Sequence, residues 1–517
     1  MTALLVCFTL SAVDIYVSPT RGNDANNGSL ATPMKTIETA VFSVKDNIQT
    51  TIHIDNNSTI NLGAILNFGK NKKVEIVGQN VILKAASLPA QKDPSGLPLT
   101  GQGNRILQAL DNCNLKIKGI TFQNGRQIGY LAGGAIFFTG NTLVVDSCKF
   151  IDNQAGSCGG AIAARSQSVV VTNSYFQGNN ILGGGARGAA IMQAGPLTET
   201  TKGTLSVQNC TFYNNTTQHD GYGFVINIYD SSLSADGGGY SNTGKIEVTN
   251  CTFLQNSSVT KYMAAIDVSD GDCDVFIVNN TFYNNSDCAF RLSASKAYLA
   301  NNVIVGGKQG IMSNDKVIDG YRPEIVAVNN IVVGTEGGIN VGIDDACFTS
   351  AKSSNNNVVS TTASYPISAV GLASSLTTDN FVPYLAITSA NSSLIDAGID
   401  NTLAVFGANY VLTVDMRGRL TNNKKDIGAL EYNGITGLST PEYISDNYRI
   451  SQSVNTVTVK SISDKSFSMK IINMTGRVVY STKVNSSIEV SDKTIGQGVF
   501  ILVLNDGTKL SSKKILL

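Results

Sequence analysis

Between residues 110 and 360 one arrangement of apolar and polar positions keeps returning. It reads LKIKGITF at 115–122, LVVDSCKF at 143–150, VVVTNSYF at 169–176, LSVQNCTF at 205–212 and IEVTNCTF at 246–253. VFIVNNTF at 275–282, AYLANNVI at 297–304, IVAVNNIV at 325–332 and SNNNVV at 354–359 continue it, at intervals of 22 to 41 residues. Self-similarity at such a period marks a solenoid. Within each phrase β-branched and polar residues alternate, which predicts strands. Leu205 and Val207 alternate with Ser206 and Gln208; after a break, Cys210 and Phe212 flank Thr211. The break is an asparagine in most repeats: Asn173, Asn209, Asn250, Asn279, Asn301, Asn329 and Asn356. Asparagine tolerates the left-handed backbone of a tight corner, and stacked amides can bond one another up a column. A third strand follows, in GGAIFFT (133–139), GGAIAAR (159–165), GAAIMQA (188–194), FVINIYD (224–230), AAIDVSD (264–270), CAFRLSA (288–294) and GGINVGI (337–343). Three short strands per turn predict an all-β parallel β-helix, with Phe122, Phe150, Phe176, Phe212, Phe253 and Phe282 in one inward file. About ten coils at about 4.8 Å each give a rod of roughly 45–50 Å.

Composition narrows the function classes. Lys plus Arg equals Asp plus Glu at 38 each, so no basic field draws nucleic acid or an anionic membrane. Glycine is abundant at 50, as frequent corners require. Tryptophan is absent and histidine numbers two, which weakens histidine-based catalysis and tryptophan sugar platforms. The nine cysteines form no CxxC, against a zinc site. Cys148, Cys210 and Cys251 share one repeat position. Parallel neighbours point their Cβ atoms the same way, so buried free thiols are expected there rather than a disulfide. No apolar stretch reaches the length of a transmembrane span.

Several motifs carry resemblances. GGAI at 133–136 and 159–162, with FIDN, FQGN, FYNN, FLQN and FYNN at 150, 176, 212, 253 and 282, resembles the GGAI/FxxN repeat of polymorphic outer-membrane proteins and other bacterial right-handed β-helix proteins. That likeness implies a pectate-lyase-like solenoid and no particular activity. Residues 1–12, MTALLVCFTLSA, resemble a secretory signal peptide, without the Lys or Arg that precedes a full-length one. IYVSPTRGNDANNGSLATPMKTIETAV (15–41) resembles the opening of extracellular β-helix proteins. Met34, Ile37, Ala40 and Val41 have the spacing of a short helix capping the rod. SSLIDAGIDN, TVDMRGR and KKDIGALEY resemble the choice-of-anchor Q closing segment. There Asp415, Arg417, Asp426 and Glu431 are expected to form a structural ion-pair cap. The rod thus spans 13–432, and 433–446 has linker composition. Residues 447–517, with MTGRVV, GVFILV and KKILL, resemble the type A sorting domain of type IX secretion. The likeness implies a small antiparallel, Ig-like sandwich, the type IX machinery as partner, and a secreted or outer-membrane-surface location.

Candidate chemistry lies on the outer face of the third strands. Their alignment puts Phe137, Ala163, Met192, Asn227, Asp267, Arg291, Met312 and Asn340 in one outward row. Thr139, Arg165, Ala194, Tyr229, Ser269 and Ser293 flank it. Its polar block offers Asn227, Tyr229, Asp267 and Arg291 as ligand-binding residues, and Asp267 with Arg291 as a catalytic pair. The same two side chains equally describe an ordinary surface ion pair, worth about 0–1 kcal/mol. In DVSDGDCD, Asp270, Asp272 and Asp274 join Asp267 as oxygen ligands suited to calcium, although the spacing is not that of an EF-hand. No other cofactor is implied. GIDDAC (342–347) shares GxDD with pectin hydrolases but lacks their companion elements. Two readings follow. One is a secreted adhesin or glycan-binding protein whose partner is a polysaccharide or host glycan. The alternative is a calcium-dependent polysaccharide lyase.

Overall fold

The computed structural model describes residues 12–85, 104–127, 132–183, 187–196, 201–218, 223–228, 243–258, 263–268, 273–286, 288–292, 296–313, 324–335, 357–359, 367–378, 382–388, 392–399, 415–417, 425–432, 443–445, 448–452, 456–461, 466–473, 478–495, 499–505 and 510–516. Two compact units divide the chain: residues 1–399 with 427–429, and residues 400–426 with 430–517.

The first unit is a right-handed parallel β-helix. One coil shows the plan: Thr142–Asp146 in column 1, Lys149–Ile151 in column 2, Gln154–Ala155 in column 3 and Ile162–Ala164 in column 4. Each strand pairs in parallel with its counterparts in the coils before and after. Among the described residues, columns 1 and 2 share a 20-stranded sheet, column 3 has five strands and column 4 nine. The sequence pattern predicts three strands per turn. The extra one, column 3, is two residues long, too short to show periodicity.

The inward file of rings is present. Successive centroids from Phe122 to Phe282 lie 5.1, 4.7, 4.8, 4.7 and 4.8 Å apart, with interplanar angles of 5–13°. Leu83 precedes the file in register, and Ile304 and Val332 extend it. The predicted corners are left-handed: Asn173, Asn209, Asn250, Asn279, Asn301 and Asn329 have φ of 51–57°. Asn356 lies outside the described residues.

The buried amide ladders, however, use other asparagines. One runs Asn153, Asn179, Asn215, Asn256 and Asn285, the last residue of each FxxN. Each Nδ2 before Asn285 donates to the next Oδ1 at 2.9–3.0 Å, and all five donate to a phenylalanine carbonyl of the preceding coil. The other runs Asn280, Asn302, Asn330 and Asn357, one residue past the corner. At Asn173 and Asn209 the corner side chain is exposed, whereas at Asn279, Asn301 and Asn329 it is buried; the next residue points inward, where an unpaired amide would be costly. Cys148, Ser174, Cys210 and Cys251 occupy this second column lower down. Their Sγ and Oγ atoms face backbone carbonyls, and Cys251 N–H donates to Asn280 Oδ1 at 2.8 Å. All three thiols are free, as expected.

GGAI has a steric reason. Gly133 has φ +75°, and a Cβ on Gly134 would stand 2.2 Å from the Gly160 carbonyl oxygen. At the N-terminal end, helix α1 (Ile37–Ser43) buries Ile37, Ala40 and Val41, with Thr36 as its N-cap. Asp24 Oδ1 accepts from the Lys35 and Thr36 amides at 3.0 and 2.8 Å, which fixes the preceding turn.

In the last coils the outward rows of columns 1 and 2 turn apolar and buried: Phe276, Tyr298 and Val326, then Val303 and Ile331. Two short flaps cover part of this surface. Residues 372–378 and 382–387 run antiparallel as an arm, through Leu372–Ile387 and Thr377–Tyr384 pairings. The Thr252 hydroxyl donates to the Pro383 carbonyl, and Tyr283 Oη to that of Ser374 at 3.4 Å. Ile427–Ala429 lies against Ile331 and Val303, where only glycine fits at 428.

The second unit holds two four-stranded antiparallel sheets. Ile450, Val457, Val459 and Val490 of one sheet pack with Phe467, Met469, Ile471, Val484, Leu502 and Leu504 of the other, which makes a sandwich. Earlier in the unit, the four charged residues of the closing segment are buried together. Arg417 Nε donates to Asp415 Oδ2 at 2.8 Å, and Asp426 N–H donates to Glu431 Oε1 at 3.2 Å. The Glu431 and Tyr432 amides donate to Asp415 and Asp426. These carboxylates are engaged in holding backbone.

Candidate functional site

Column 4 carries the expected outward row. Its register runs Gln108, Phe137, Ala163, Met192, Asn227, Asp267, Arg291 and Met312 in successive coils. Asn340, Tyr229, Ser269 and Ser293 lie outside the described residues. The row begins apolar: Ala163, Met192 and Ala194 cluster with Ala132, Phe137 and Cys158. Arg105 closes that end, its guanidinium carbon 4.6 Å from the Phe137 centroid and its nitrogens on Gly133 O, Ala132 O and Gln108 Oε1. Burial lowers its pKa to about 10, still a cation at neutral pH.

Midway the chemistry changes. Arg291 Nε stands 3.0 Å from Asp267 Oδ1, an ion pair not aligned as a hydrogen bond. Asn227 Nδ2 donates to the other carboxylate oxygen at 2.6 Å. The ring of Phe224 lies 5.1 Å from the Arg291 guanidinium carbon, with Ala264 and Cys288 beside it. Phe224 was not singled out by sequence, because the apolar run FVI that opens its strand shows no alternation before Asn227. Its register with Ala264 and Cys288, outside the core file, is the signal that marks it as outward.

This is not the exposed ion pair that the sequence also allows. The Asp267 side chain is 0% and that of Arg291 12% exposed. In such a place desolvation offsets much of the attraction, while removing one partner strands a buried charge at a cost of about 3–5 kcal/mol. The carboxylate is held from two sides. A guanidinium holds its proton too tightly to serve as a base for a sugar proton.

Of the suggested calcium ligands, the described residues include Asp267 and Asp274 alone. Asp270 and Asp272 lie outside the described residues. Asp274 opens a column 1 strand, on another sheet from Asp267, in register between Lys245 and Lys296. Among the described residues no group of three or more His, Cys, Asp or Glu side chains could hold a metal ion. No helix among them is long and apolar enough to cross a membrane.

No protein-family model and no curated protein matches this chain. Solved structures do resemble it in fold. Pectate lyase Pel9A is 14% identical with a TM-score of 0.44, over 82% of this chain and 98% of that one. The GH136 lacto-N-biosidase from Eubacterium ramulus is 9% identical with a TM-score of 0.26, over 67% and 68%. A tailspike protein of E. coli bacteriophage HK620 is 10% identical with a TM-score of 0.23, over 91% and 78%.

Proposed function

We propose that the protein is a secreted, surface-displayed β-helix that binds an acidic glycan without turning it over. Binding is assigned to the block of Asn227, Tyr229, Asp267 and Arg291, with Phe224 added to it. The observation that carries binding over turnover is the Asp267 carboxylate, held between Arg291 and Asn227. Among the described residues of that set no free base remains, whereas the partly exposed Arg291 guanidinium suits an anionic sugar. We further propose residues 447–517 as the export address read by the type IX machinery. The MTGRVV, GVFILV and KKILL segments support that reading, as does the sandwich's own core.

Incubation with polygalacturonate or alginate, with and without calcium, tests the first proposal. Affinity electrophoresis should show retardation, with no rise in the absorbance of unsaturated sugar ends. Arg291→Ala should weaken the retardation at least tenfold. Rising absorbance would instead favour the calcium-dependent lyase, and unchanged retardation of the variant would remove the site. Deletion of 447–517 should keep the protein from the cell surface; its continued display there would contradict the export assignment.

A further inference from the structure

Column 3 gives the rod a second outward polar row. Gln154, Asn180, Thr216 and Ser257 stand in register on successive coils, with Arg126 at the N-terminal end. At several other places in the helix, stacked polar side chains close on one another. The two amide ladders do so, and so does Asn227 on Asp267. This row does not. Among the described residues, Gln154, Asn180, Thr216 and Ser257 make no side-chain hydrogen bond. Asn180 is only 5% exposed, and its Oδ1 has no partner. A buried acceptor left unpaired forfeits its hydration for nothing, so such a group calls for an external donor.

The row is also held rigid. Each of its members directly follows a rung of the buried ladder: Asn153, Asn179, Asn215 and Asn256. The ladder fixes both backbone and spacing before any ligand arrives, which lowers the ordering cost of binding. Two amides and two hydroxyls, without a charge among them, present donors and acceptors together. That is the complement of sugar hydroxyls, and it is repeated over about 14 Å, three steps of about 4.8 Å. We infer that column 3 is a binding site for an uncharged oligosaccharide lying along the rod axis, hydrogen-bonded to Gln154, Asn180, Thr216 and Ser257. The site is distinct from the Arg291 block and stands or falls separately.

Isothermal titration of the full chain with cellohexaose, mannohexaose and chitohexaose tests it, with hexagalacturonate as the acidic comparator. At least one neutral hexasaccharide should bind. The double variant Thr216→Val with Ser257→Ala, nearly isosteric, should weaken that binding tenfold or more while the thermal midpoint stays unchanged. Gln154→Ala, at a half-buried position, should weaken it in the same direction. Arg291→Ala should leave it intact. Failure of all three neutral sugars to bind overturns the inference, as does binding indifferent to the double variant or abolished by Arg291→Ala. Loss of hexagalacturonate binding alone touches only the acidic-glycan proposal.

Discussion

Asparagine serves two different purposes in this chain. At the corners, Asn209 and its equivalents supply a positive φ, exposed at Asn173 and Asn209 and buried at Asn279, Asn301 and Asn329. Asn209→Ala should cost about 1–2 kcal/mol, the penalty of left-handed backbone, and Asn209→Gly much less. Inside, Asn215 accepts from both the N–H and Nδ2 of Asn179. Asn215→Ala should cost more, about 1–3 kcal/mol for each stranded donor, readable in urea unfolding. The repeats show the corner asparagines plainly because one residue type recurs at one place. They do not show which neighbouring asparagine turns inward, since that depends on how sharply the corner bends. Cysteine fills the same inward column. Burial pushes the Cys148 thiol up to about 12, and burial followed by the neighbouring Cys251 raises that of Cys210. Both should therefore stay protonated at pH 8 and resist thiol reagents until the protein unfolds. Rapid labelling of the native protein would contradict this.

Elements differ in how far they can be read from the chain. The phenylalanine file and the capping helix follow from periodicity alone. Phe212→Ala, in the middle of the file, should destabilise the rod by about 3–5 kcal/mol. The turn before α1 depends on Asp24. Burial works to raise its pKa, but hydrogen bonds from Thr36 and Lys35 outweigh burial and hold it below the ordinary 3.8. A carboxylate depressed in this way stabilises the fold above its unfolded-state pKa, and that contribution fades as pH falls through the lower folded value. Wild type and Asp24→Asn should accordingly differ in thermal midpoint at neutral pH and converge below pH 3.8. A gap that persisted in acid would refute the assignment. Column 3 and the arm at 372–387 were hidden for a physical reason. Two-residue strands have no period, and a covering segment is specified by the distant surface it covers. The burial of Asp267 and Arg291 was hidden likewise: an outward position in a coil says nothing of what lies above it.

At the scale of the molecule, each of the two units has its own apolar core. Residues 443–517, expressed alone, should unfold cooperatively, because the ten buried core side chains all fall within that segment. Every proposed binding row, by contrast, exists only because residues far apart in sequence lie one above another. Column 1 offers a direct check. Glu75 and Glu247 face outward on one row, through Lys116, Val144, Val170 and Ser206. Spin labels at these two positions, measured by pulsed dipolar spectroscopy, should give one narrow distance distribution. Its centre should lie near about 24 Å, five coil steps of about 4.8 Å, allowing for the label arms. A broad distribution, or one centred far from that separation, would mean that the coils do not stack in this register.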